Sequence, residues 1–208
     1  MKLSSEQKKF LESAVSHYEK NIHLAEGYLA SRGLDLAVAG TYRLGVVQDP
    51  LPGNEQYVGR LAIPYITKTG VIDIRFRDMT NTSDVKYLGL PGAETHLYNV
   101  TSIFRSSTVI GICEGEIDTI TLEQCGITAV GVPGANNWKK HYSRVLRDFS
   151  RIIVFADGDQ AGQDFGRHIS KELGYVTIIN MPDGEDVNSV YCTQGPEAIR
   201  ERAGLNVK

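Results

Sequence analysis

Three apolar runs in this chain each end in acids. Val109–Cys113 is followed by Glu114-Gly-Glu-Ile-Asp118, and Arg151–Ala156 by Asp157-Gly-Asp159-Gln-Ala-Gly162. Val176–Asn180 is followed, after Met181, by Pro182-Asp-Gly-Glu-Asp186. A short apolar run bounded by glycine and carboxylates reads as a buried strand that delivers acids to its C-terminal end. In open α/β sheets ligands bind at that end. Carboxylates gathered there repel one another unless a cation neutralises them. Mg2+ or Mn2+ suits such an all-oxygen set, and Mg2+ commonly shares its coordination with substrate phosphates. The one-residue gap between Asp157 and Asp159 lets both reach the same or adjacent ions, an arrangement that serves phosphoryl transfer.

The elements that must position these acids follow from periodicity. Strands at Val109–Cys113, Ala129–Val132, Ile152–Ala156 and Val176–Asn180 alternate with helices at Glu116–Cys125, Trp138–Leu146 and Gln160–Leu173. Pro133–Asn137 reads as a loop and Pro196–Ala203 as a final helix. Such alternation predicts a parallel sheet flanked by helices. The preceding half reads differently. Ser4–Ala30 is expected as one helix, capped by Ser4 or Ser5, with Phe10, Ala14, Val15, Tyr18, Ile22, Ala25 and Leu29 on its apolar stripe. Arg32-Gly33 should end it, with a short second helix at Leu34–Ala39. Arg60–Ile66 and Val71–Arg77 predict a hairpin turning at Thr67–Gly70, with Asp73, Arg75 and Arg77 on one open face. Lys86–Leu88 and Thr95–Tyr98 complete this mostly β region. The expected organisation is α/β: a smaller α+β N-terminal subdomain over residues 1–107, then the parallel-sheet domain over 108–208.

Composition narrows the classes. The chain has 208 residues, 41% of them hydrophobic and 23% charged, as in ordinary globular proteins. A net charge of −3 gives no global basic signal for nucleic acid, which leaves local basic patches as the carriers of any such contact. No apolar run is long enough to span a bilayer. The polar start lacks the apolar core of a signal peptide. The three cysteines Cys113, Cys125 and Cys192 are widely spaced, which fits reduced thiols in a cytoplasmic protein and not a structural zinc site.

Taken as a set, Glu114-Gly-Glu-Ile-Asp118 and Asp157-Gly-Asp159-Gln-Ala-Gly162 resemble the Toprim domain of primases, topoisomerases and some nucleases. Other segments move the resemblance toward primases. Ser31–Leu34 with Tyr42–Gly45 is similar to the opening of the DnaG-type polymerase core. Arg60–Pro64, Val71–Arg77 with Lys86–Leu88, and Met181–Asp186 are similar to its later segments. The Glu114–Asp118 form is also that of phage primase–helicases, and the likeness runs from about Tyr28 to the C-terminus.

The resemblance implies a Toprim-type parallel sheet and a DNA primase core that makes short RNA primers on single-stranded DNA by nucleotidyl transfer. It implies that Glu114 is a metal ligand or acid/base group, that Asp157 and Asp159 hold Mg2+ or Mn2+, and that Asp118 and Asp186 support them. It implies that Arg77 and Lys86, with Arg75 beside them, bind phosphates of ribonucleoside triphosphates or template. Where primases often carry another acid, two residues beyond Asp186, this chain has Asn188, a change that would weaken a second metal site. A separate zinc-binding module or a replicative helicase is the expected partner, and no membrane is. Two other readings use the same acids: a Toprim nuclease or nickase with water as nucleophile, and a non-catalytic replisome adaptor.

Overall fold

The computed structural model describes residues 3–80, 82–134 and 137–205. The chain divides into two compact units, Met1–Glu94 and Thr95–Lys208.

In the first unit, α1 (Ser5–Tyr18) starts on a capping box in which Ser4 and Gln7 satisfy each other's backbone N–H groups. Leu11, Ala14, Val15 and Tyr18 form its buried stripe. Leu11 takes the place expected of Phe10, which is 38% exposed. The predicted single helix to Ala30 is broken: a 3-10 segment, Glu19–Ala25, separates α1 from α2 (Glu26–Ser31). The break coincides with a close backbone approach. A Cβ on Gly45, in β1 (Gly45–Val46), would lie 2.3 Å from the Tyr18 carbonyl carbon and 2.6 Å from the Glu19 nitrogen. Gly33, at φ 64°, turns the chain after α2. The short helix α3 (Leu36–Thr41) begins two residues later than expected because Asp35 caps it, accepting from the Val38 N–H.

Four antiparallel strands follow in the order β1-β2-β3-β4, with β2 Leu61–Thr67, β3 Gly70–Arg77 and β4 Tyr87–Gly89. The predicted hairpin is present, with Thr67 opposite Gly70. Its core joins the α1 stripe to Ala62, Val71, Ile74 and Phe76, and Tyr57 stacks on Phe76 at 3.7 Å. Burying each of these large side chains contributes about 1.5–3 kcal/mol. The open polar face expected on β3 is not open. Asp73 and Arg77 are only 6% and 5% exposed, and Arg75 is half-buried. The guanidinium of Arg77 is covered by the rings of Tyr28 and Tyr87, which is why strict alternation overstated its contact with water.

The second unit is a four-stranded parallel sheet of order β6-β5-β7-β8, from β5 Val109–Cys113, β6 Ala129–Gly131, β7 Arg151–Ala156 and β8 Val176–Asn180. Alternate residues bury two faces. Ile110, Ile112, Ile152 and Val154 meet Tyr142, Leu146, Phe165 and Ile169 from α5 (Tyr142–Leu146) and α6 (Gln160–Leu173). Cys113, Ile153 and Phe155 meet Leu122 of α4 (Glu116–Gln124) and Val187, Val190 and Ile199 of α7 (Val187–Arg202). Thr95–Tyr98 does not finish the first sheet. Tyr98 pairs instead with Gly131 of this unit.

In this unit two helix predictions need correction. The helix expected from Trp138 spans only Tyr142–Leu146, and Trp138 packs edge-on to Tyr142 in the turn before it. In the predicted loop Pro133–Asn137, Ala135 and Asn136 lie outside the described residues. The final helix begins at Val187, not Pro196. Asp186 and Ser189 form a capping box that starts it, and Gly195 at φ 82°, just before Pro196, kinks it into two pieces. Among the described residues no helix is long and apolar enough to cross a membrane.

Candidate active site

The sheet order places the site. From β5 the chain moves to one side to form β6, then returns to the other side to form β7. The C-terminal ends of β5 and β7 are therefore neighbours at a topological switch point, where open α/β sheets form a crevice. Glu114 is the first residue beyond β5, and Asp157 the first beyond β7.

Backbone contacts lock the acidic loops together. Gly158 donates its N–H to Glu185 O at 2.8 Å and accepts from the Gly184 N–H at 3.2 Å, so the loops after β7 and β8 are joined directly. A Cβ on Gly158 would fall 1.7 Å from Pro182 O, a position no side chain could occupy. Gly162 likewise lets the first turn of α6 pass over Asp157, whose carbonyl oxygen would lie 2.3 Å from a Cβ there. The glycines of Asp157-Gly-Asp159-Gln-Ala-Gly162 are thus steric necessities of the acid placement.

The five acids divide by what their oxygens do. Asp159 caps α6, its Oδ1 accepting from the Gly162 N–H at 2.7 Å. Asp186 caps α7, accepting from the Ser189 N–H at 2.7 Å. Asp118, 8% exposed in the first turn of α4, accepts from the Asn188 N–H at 3.0 Å. In contrast, Glu114 Oε1 and Asp157 Oδ1 are buried with no hydrogen-bond partner. Burial pushes the Glu114 carboxyl up to about 7, helped by the charges of Asp159 and Asp118. Burial pushes Asp157 up to about 8, with Asp118, Glu114, Asp186 and Asp159 adding to it. The charges of the other four acids are therefore all felt at Asp157.

Among the described residues, no three His, Cys, Asp or Glu side chains are drawn close enough to enclose an ion as they stand. The donor set still fits a hard divalent cation. It is all oxygen, and Glu114 and Asp157 each carry a buried oxygen that nothing else satisfies.

The predicted cations form a separate set in the first unit. The Arg75 guanidinium lies 4.5 Å from the Tyr87 ring centroid, and Arg77 lies 5.0 Å from Tyr87 and 5.6 Å from Tyr28. Arg77 also hydrogen-bonds the Tyr87 hydroxyl. Lys86 is exposed, and its backbone carbonyl accepts from the Asp78 N–H.

Sequence reasoning missed the part played by Asn188, which it treated only as a lost acid, and passed over Glu116, 1% exposed in α4. The signal for the first was present. Asp186 followed three residues later by Ser189 is a capping pattern that starts a helix at Val187 and puts Asn188 in its first turn.

Comparisons with known proteins bear on the family and the fold. Residues 111–191 match the Toprim-like family. The Gene 57 protein of Mycobacterium phage D29 is 42% identical over 151 residues, covering 70% of this chain and 99% of that protein. The DNA primase of Listeria monocytogenes is 26% identical over 84% of this chain, which spans only 30% of that primase. A solved DnaG primase catalytic domain bound to single-stranded DNA superposes with a TM-score of 0.78 at 22% identity, covering 97% of this chain and 80% of that one. The acids at the switch point, the match of the second unit and the phage relative shared over nearly its whole length place this chain in the family of Toprim-containing, DnaG-type primase catalytic cores.

Proposed function

We propose that this chain synthesises short RNA primers on single-stranded DNA by divalent-metal-dependent nucleotidyl transfer. The observation that carries the reading is the pair of buried, unpartnered oxygens, Glu114 Oε1 and Asp157 Oδ1, on adjacent strands at the switch point. Burying such groups without a partner is costly, and a site that binds a cation recovers that cost on binding.

Asp157 and Glu114 would be the principal ligands of Mg2+ or Mn2+. Asp159 would offer the oxygen its helix cap leaves over, with Asp118 and Asp186 supporting. When bound, the ion neutralises charge on the α-phosphate and the leaving pyrophosphate. Were the ion held by Asp157 and Asp159 alone, Glu114 Oε1 would instead take the proton of the attacking ribose 3′-hydroxyl. Arg75, Arg77 and Lys86 would contribute cations to triphosphate or template phosphates. Lys86 is exposed and Arg75 half-buried, whereas Arg77, 5% exposed beneath the Tyr28 and Tyr87 rings, would meet phosphate only after those rings move. The single-stranded DNA bound by the solved catalytic domain and the primase relatives support this substrate class. A zinc-binding module or helicase as partner remains part of the proposal.

The test is primer synthesis on single-stranded DNA with ribonucleotides and Mg2+ or Mn2+, comparing wild type with Asp157→Asn and Glu114→Gln. Oligoribonucleotides from wild type alone are expected. Metal-dependent nicking with no need of nucleotides would replace the reading with a nuclease.

A further inference from the structure

Asn188 is 1% exposed and grips α4 at two points. Its backbone N–H donates to Asp118 Oδ1 at 3.0 Å, and its side-chain Nδ2 donates to Thr121 Oγ1 at 2.9 Å. Asp118 and Thr121 are three residues apart, on one face of the helix. The Thr121 hydroxyl already donates its own hydrogen to Ile117 O at 2.9 Å. It can therefore offer position 188 only a lone pair. A carboxamide supplies the matching donor, whereas a carboxylate there would set acceptor against acceptor inside the α4–α7 interface.

We propose that Asn188 is a positioning residue for Asp118, its amide clipping α7 to α4 so that the Asp118 carboxylate is held toward Glu114 and Asp157. This rests on the metal-dependent reading above, because the orientation of Asp118 matters to the extent that the acids bind an ion. With Asn188 in place of an acid, position 188 orients a carboxylate instead of adding one.

The experiment measures Mn2+ binding to the full chain by electron paramagnetic resonance of the free ion, with metal-free melting temperatures as the check on folding. Removing an outer partner of a metal-binding carboxylate typically weakens binding about 10–100-fold. Asn188→Ala, which keeps the backbone N–H to Asp118 but loses the bond to Thr121, and Thr121→Val, which removes the hydroxyl that accepts from Asn188 and donates to Ile117 O, are each expected to lose about 10-fold, the lower end of that range. Asn188→Asp should also weaken binding. In an Asp118→Asn background, Asn188→Ala should have no further effect. The clip is overturned if Asn188→Asp tightens Mn2+ or adds a second ion, which would make 188 a ligand position. It is overturned equally if the Asn188→Ala loss persists without Asp118, or if wild type binds no Mn2+. The two readings separate cleanly. Wild type that shows this binding pattern but makes no primers keeps the clip and loses the polymerase. Wild type that makes primers while Asn188→Ala and Thr121→Val bind Mn2+ normally keeps the polymerase and loses the clip.

Discussion

The two units treat charge in opposite ways. In the first, the half-buried Arg43 and the buried Asp78 are answered within the fold. Arg43 is held by Glu12 at 2.5 Å and Glu19 at 3.0 Å, linking α1, the 3-10 segment and the approach to β1. Asp78 accepts from the Thr80 and Ser83 N–H groups and the Thr80 hydroxyl, which hold its carboxyl down at about 2. In the second unit, Glu114 and Asp157 are raised, and each keeps a buried oxygen with nothing to receive. A carboxylate whose oxygens are satisfied by the chain is explained by structure. One that the fold buries and leaves unsatisfied points to something outside the chain.

The comparison is broken most directly at Asp157. Asp157→Asn should lower primer synthesis by about 1,000-fold, as loss of a principal charge-stabilising group does. The same change should raise the metal-free melting temperature, because it removes a carboxyl that folding must either protonate or leave charged beside other acids. A drop in both would mean that Asp157 is structural. Next in size is Gly158→Ala, whose added methyl would meet Pro182 O; a loss of about 3 kcal/mol in urea unfolding is expected.

Proton linkage gives a third effect, with opposite sign in the two units. Asp157 and Glu114 bind protons more tightly folded than unfolded, so metal-free stability should fall as pH rises from about 4 through about 7 and 8. Asp78 binds protons less tightly folded, so its contribution is present above about 4 and lost as pH falls toward 2. Metal-free melting temperatures should therefore peak in mildly acid solution. Saturating Mg2+ should flatten the decline on the alkaline side and leave the acid side unchanged. A metal-free profile that keeps rising to pH 8 would contradict the contrast. The smallest effect is a stabilisation in the first unit. Gly27, in α2, has nothing within 4 Å of an added Cβ, so Gly27→Ala should add about 0.5–1 kcal/mol without altering Mn2+ affinity.

The second unit was the more legible half. Its strands are uninterrupted apolar runs, and its turns are fixed by glycine and aspartate, so β5, α6 and β8 fell where periodicity put them. The acids were legible because they sit immediately beyond those runs. What periodicity could not give was the division of labour among them. That Asp159 and Asp186 cap helices while Glu114 and Asp157 stay unsatisfied depends on backbone N–H directions that only the folded chain defines. The first unit was harder for a related reason. The break after Tyr18 follows from the strand backbone at Gly45, and the burial of Arg77 from rings at Tyr28 and Tyr87, all distant in sequence.

The clasp between Gly158 and the Glu185 and Gly184 backbones carries a consequence for how such a chain can change. Its bonds run main chain to main chain, so most side chains around it are free to drift, as exposed Asp183 illustrates. Length is not free. One residue inserted within either segment would shift one strand of the clasp past the other, misaligning both bonds and swinging Asp159 or Asp186 off its helix. The segments after β7 and β8 should therefore tolerate substitution far better than insertion.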